Sequence, residues 1–143
     1  MKLLRYGPAG AERPAMLDAN GDIRCLAGIV RDIDGFALSD AGLAMIAGID
    51  PLTLPRVEGN PRIGACVARP LNYICIGLNY ADHAAEAGMP VPKEPIIFVK
   101  ALSAYSGPND DVKRPRNSKK LDWECELGIV IGKKASYITE AES

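Results

Sequence analysis

The chain has 143 residues, 48% hydrophobic and 24% charged, with 17 basic against 18 acidic side chains and a formal net charge of −1. Such a composition supports an ordinary globular core and carries no basic run, so nucleic acid and anionic membrane are poor partners. No apolar stretch approaches the ~20 residues of a membrane span. Residues 1–6 reach Gly7-Pro8 before a signal-peptide core can develop, so cytoplasmic residence is the expectation.

Residues 1–6 read as a strand and 15–17 as another, ending at a turn over 18–22 whose Asn20-Gly21 pair signals a hairpin. The next strand is predicted over 23–26. Ser39 is placed to cap a helix running to Ala47, with Leu43, Ile46 and Ala47 on its apolar face and Gly48 as its stop. Residues 1–65 therefore read as a small N-terminal domain. It has no histidine and its charges look scattered, which suggests a structural role and a solvated surface. A Pro- and Gly-punctuated connection follows, from Pro51 through Pro61 to Gly64.

A second domain is predicted over 70–143. Its first strand, 73–76, stops at Gly77; a helical segment from Asn79 to Ala87 is closed by Gly88 and Pro90. A buried strand is expected at 96–99, then a polar, turn-rich stretch over 107–120, then a strand over 123–131. Residues 139–142 look like a helix start. Cys25, Cys66, Cys75 and Cys125 form no C-x-x-C pair and read as buried free thiols of a reducing compartment. A nucleophilic Cys75 or Cys125 is the alternative, disfavoured inside apolar strand-like runs.

Three groups could carry chemistry. On a strand, Glu124 and Glu126 share one face, with Trp123, Cys125, Leu127, Ile129 and Ile131 on the other. One reading is a wet outer face. The other is a cation site, because two like charges side by side repel unless something positive lies between them. Carboxylates without imidazole or thiolate suit Mg²⁺, Mn²⁺ or Ca²⁺ better than zinc. His83, the single histidine, is followed by Glu86 at i+3. That spacing makes either a surface ion pair or a water-activating base whose tautomer is fixed by a carboxylate. Lys100 closes the 96–99 run, either marking the sheet edge or placing a cation where an oxyanion develops.

Four blocks then carry a resemblance: Gly77-Leu78-Asn79-Tyr80-Ala81-Asp82-His83-Ala84-Ala85-Glu86, Pro95-Ile96-Ile97-Phe98-Val99-Lys100-Ala101, Gly107-Pro108-Asn109-Asp110-Asp111, and the run from Asp122 to Gly132. In this order and spacing they resemble the fumarylacetoacetate hydrolase family, from Tyr73 onward. Residues 1–65 are similar, with less sharp motifs, to the small N-terminal domain of many bacterial members. The resemblance implies an α+β, mainly β fold, in which the N-terminal α/β domain precedes the first part of a distorted β-roll. It implies a homodimer with Mg²⁺ or Mn²⁺ in the site, Ca²⁺ being a further option.

By the same resemblance Glu124 and Glu126 are metal ligands, His83 and Glu86 the water-activating dyad, and Lys100 a catalytic contact to substrate oxygens. Asn79 and Tyr80 are substrate-binding residues alongside Lys100. The implied reactions are carbon–carbon bond hydrolysis of acylpyruvates and 1,3-diketo acids, as in the catabolism of aromatic compounds, or decarboxylation or isomerisation of related 2-oxo acids. The family's third metal carboxylate, an aspartate on a later strand, has no counterpart in this sequence. The expectation is therefore a fragment of a longer enzyme. The alternative is a short, non-catalytic family member acting as a binding or assembly module.

Overall fold

The computed structural model describes all 143 residues. It separates into two compact units, one made of Met1–Ala68 with Gly107–Ser143, the other of Arg69–Ser106. The architecture is α+β and mainly β, with five strands and two short helices.

The first unit is built on an antiparallel sheet of β1 (Lys2–Tyr6), β2 (Arg13–Leu17) and β3 (Ile23–Cys25), in the order β1-β2-β3. Lys2 pairs with Leu17 and Tyr6 with Arg13, while Ala15 pairs with Cys25. Pro14 is tolerated in the central strand because it lies beyond the end of β3, and its carbonyl still accepts from the Leu26 N–H at 2.9 Å. The expected hairpin forms. Its turn is organised by Asp18, whose Oδ1 accepts from the N–H groups of Asn20 and Asp22 at 2.9 and 3.0 Å. Gly21 takes φ +84°, a conformation that favours glycine.

Helix α1 (Asp40–Ala47) begins where the sequence places it: Ser39 Oγ accepts from the Gly42 N–H at 3.1 Å, and Gly48 follows the last turn. Its buried side differs from the expected one. Ile46 is fully buried and Leu43 partly so, but Ala47 is exposed and Gly42 takes the inner position. The close approach of the 36–37 backbone explains the exchange, because only a residue without a side chain fits there. Met16, Leu26, Val30, Ile33, Ala37, Ile46 and Leu54 make one apolar cluster; Tyr6, Ala15 and Cys25 make a second. Adjacent residues Ala15 and Met16 thus belong to different clusters, as alternation along a strand requires. Full burial of Leu26, Ile33 and Ile46 stabilises the fold by about 1.5–3 kcal/mol per side chain.

The second unit holds a two-stranded antiparallel ribbon, β4 (Ile74–Gly77) with β5 (Ile96–Val99), and helix α2 (Ala81–Glu86) between them in sequence. Ile74 pairs with Val99 and Gly77 with Ile96. The strand expected to be buried at 96–99 is exposed along its whole length. A two-stranded ribbon has no third strand to flank it and no second layer to bury its faces.

Three further expectations change. No strand forms over 123–131. A strand must hand its N–H and C=O groups to a neighbour, and none pairs with this segment. Residues 140–142 form a single 3₁₀ turn, begun by a reciprocal Thr139–Glu142 capping box. No disulfide forms among the four cysteines, but only Cys25 is buried; Cys66 and Cys125 are exposed and Cys75 is intermediate. Cys125 loses its expected cover with the strand that was to carry it. No helix is long and apolar enough to cross a membrane.

Candidate active site

Five of the residues singled out by the sequence lie in the Arg69–Ser106 unit. After β4 the chain turns through Leu78, which takes φ +50°, an uncommon conformation for a leucine. That turn delivers Asn79 and then Tyr80, the residue that caps α2 without a side-chain hydrogen bond to it. His83 and Glu86 follow on the helix, one turn apart and both exposed, with Ala84 as its buried anchor. The i,i+3 spacing puts them on neighbouring positions of one face. The His83 backbone N–H donates to Asp82 Oδ1 at 2.9 Å.

Lys100 stands immediately after β5, where its N–H donates to the Tyr73 carbonyl at 3.0 Å. The antiparallel register puts the Lys100 backbone at the Ile74–Val99 end of the ribbon. The Gly77 turn into Asn79 and Tyr80 leaves from the other end. At ~3.4 Å per residue, a ribbon of this length separates its two ends by about 10 Å at the backbone. Tyr73 packs edge-on against Tyr105, with ring centroids 5.9 Å apart, next to the Lys100 end.

Glu124 and Glu126 belong to the other unit and are exposed. With no strand there, pleat alternation does not set a common face for them. Their donor chemistry fits a hard divalent cation, since carboxylate oxygens are what such ions select. Their number is short of a complete site, because no three His, Cys, Asp or Glu side chains converge in the chain. A hard cation takes ~6 or more oxygens, so two carboxylates are part of a ligand set.

Charge is organised instead at a place where the sequence shows only scattered residues. Arg5 Nε donates to Asp32 Oδ1 at 2.7 Å, and Arg5 Nη2 lies 3.5 Å from Glu12 Oε2. Arg62 Nη1 donates to Glu12 Oε1 at 2.9 Å, while Arg62 Nε and Nη2 each reach Asp110 at 2.6 Å. The reading of the N-terminal charges as a solvated surface is corrected here: the Glu12 side chain is only 9% exposed and Arg5 only 12%. Burial pushes the Glu12 carboxyl up, but the Arg62 hydrogen bond, backbone N–H groups and the Arg5 charge together hold it below its ordinary value. The Arg62 hydrogen bonds, and then the Gly107 N–H, hold Asp110 below its own ordinary value. Local spacing could not reveal this network, because its partners lie up to 50 positions apart in sequence.

A sequence model described as the C-terminal region of fumarylacetoacetate (FAA) hydrolase matches residues 72–143. A protein named "Putative hydrolase" from Burkholderia ambifaria is 61% identical over the whole chain, which covers 51% of that relative. A similarly named protein from Burkholderia cenocepacia strain HI2424 is 60% identical with the same coverage. The chain thus spans about half the length of the curated relatives it matches. Among solved structures, one titled as a putative HpcE protein from Mycobacterium smegmatis aligns at TM-score 0.63 and 26% identity, over 81% of this chain and 42% of that one. Fumarylacetoacetate hydrolase from Exiguobacterium antarcticum aligns at TM-score 0.59 and 30% identity, over 80% of this chain and 40% of that one. A matched segment of half the chain, together with two structural neighbours that share this mainly β fold, shows that the chain belongs to the fumarylacetoacetate hydrolase family.

Proposed function

We propose that the chain carries part of the catalytic apparatus of a divalent-metal-dependent hydrolase that cleaves carbon–carbon bonds in acylpyruvate or 1,3-diketo acid substrates. The observation that carries this reading is the family match over residues 72–143, a span containing Asn79, Tyr80, His83, Glu86, Lys100, Glu124 and Glu126. Glu124 and Glu126 would hold Mg²⁺ or Mn²⁺, which when bound supplies Lewis-acid polarisation of the substrate's keto and carboxylate oxygens. The His83 imidazole accepts a proton from water, and Glu86 orients the ring and balances its charge. The resulting hydroxide attacks the distal carbonyl. The Lys100 ammonium stabilises oxyanion character as the carbon–carbon bond breaks; the attacked carbonyl carbon departs as a carboxylic acid, and the other fragment leaves as an enolate that takes the proton back from His83. Asn79 and Tyr80 offer hydrogen bonds to substrate oxygens at the start of the same helix. A homodimer in the cytoplasm belongs to this reading as well.

The test is the Mg²⁺-dependent loss of acylpyruvate absorbance. His83→Ala is expected to lower turnover by about 10²–10⁴-fold, the usual contribution of a positioned acid–base group. Full turnover in His83→Ala, or in EDTA, defeats the mechanism. Product identification separates hydrolysis from decarboxylation or isomerisation of a 2-oxo acid.

A second reading, a non-catalytic binding or assembly module, is favoured by the failure of any three ligating side chains to converge in the chain. Calorimetry with Mn²⁺ distinguishes the two. Binding tighter than micromolar together with turnover removes the module; neither heat nor turnover removes the enzyme.

A further inference from the structure

The segment bearing Glu124 and Glu126 is tied to the N-terminal elements on both sides. On the C-terminal side, Lys133 Nζ lies 2.5 Å from Asp40 Oδ2 at the start of α1, but these side chains are 73% and 74% exposed. A solvated pair of this kind holds little. The N-terminal side is different. Both Asp110 oxygens are taken by the Arg62 guanidinium in a two-pronged fork, and Oδ2 also accepts the Gly107 N–H at 2.7 Å. Gly107 is buried so tightly that an added Cβ would meet the Ile63 carbonyl at 2.3 Å. Arg62 is itself fixed from behind, by Glu12 and by the Gly7 carbonyl at 3.1 Å. The Ile63 backbone is in turn bridged to Tyr6 of β1.

We propose that Arg62 is a positioning residue: through Asp110 it fixes the point from which the Glu124/Glu126 segment leaves the N-terminal sheet. This rests on the reading of those glutamates as metal ligands. The N-terminal sheet is then part of how the ligands are presented. A planar fork suits the task, because it sets the orientation of the carboxylate as well as its distance.

The experiment compares the 143-residue chain with Arg62→Gln, Asp110→Asn, the double variant and Arg62→Lys. Amide exchange at Gly107 and Asp110 is expected to accelerate about tenfold in either single variant, while β1–β3 amides keep their protection. The double variant should be no faster than the faster single variant, since the same Arg62–Asp110 fork is lost in each. Steady-state anisotropy of Trp123, the single tryptophan, should fall in parallel, and Arg62→Lys should restore part of both signals. Mn²⁺ affinity should weaken with the same ranking. If exchange and anisotropy change but no form binds Mn²⁺, the positioning contact stands and the metal reading falls. The proposal is overturned if both single variants leave Gly107, Asp110 and Trp123 unchanged. It is also overturned if protection is lost uniformly through β1–β3, which would mark a purely structural role.

Discussion

Gly42 occupies a position where alanine would ordinarily strengthen a helix. Its inner face, however, lies against the 36–37 backbone, and an added Cβ would come within 2.2 Å of the Phe36 carbonyl oxygen. Overpacking wins over propensity: Gly42→Ala is expected to cost about 1–3 kcal/mol by urea denaturation, despite a propensity gain of up to ~1 kcal/mol. At the same scale, Glu12 and Asp110 lie below their ordinary values of 4.5 and 3.8 when folded. The folded state therefore binds fewer protons than the unfolded chain. The stability they contribute is fully present above those ordinary values and is lost as pH falls through the lowered ones. Urea midpoints should hold level from neutral pH and drop below about pH 4. Glu12→Gln should flatten that drop, and an unchanged acid limb in the variant would remove Glu12 from the account.

Among the elements, the ones legible in the sequence carry their own local instructions. Ser39 and Gly48 bound α1, and the Asp18 to Asp22 turn joins β2 to β3 through side-chain acceptors and a glycine at positive φ. Ser39→Ala should therefore lower stability by about 1 kcal/mol, read from the urea midpoint. The placement of His83 and Glu86 on one short helix is equally legible, because i,i+3 spacing is a local property. What could not be read is whatever depends on a distant partner. The 123–131 run has the alternation of a strand, yet alternation describes only which faces a strand would have. Forming the strand requires a neighbour with matching N–H and C=O groups. The Arg62–Asp110 fork escaped for the same reason: nothing near either residue in sequence points to the other.

In the whole molecule, burial is concentrated in the N-terminal sheet and α1, while the chain from 121 onward is exposed throughout. Leu127, Ile129 and Ile131 are 79%, 77% and 79% exposed, and Trp123 83%. Large apolar side chains left this exposed bind other apolar surfaces. The chain should therefore enhance the fluorescence of a hydrophobic dye, and Ile129→Lys with Ile131→Lys should reduce that enhancement without shifting the unfolding midpoint. Trp123 should emit as a water-exposed indole and be quenched freely by iodide; a blue-shifted, unquenchable emission would contradict the exposure found here. The same indole is one residue from Glu124. Placed there, it is an optical antenna: a trivalent lanthanide settling on the carboxylates would borrow its excitation and glow, making occupancy of this segment visible without a substrate or a label.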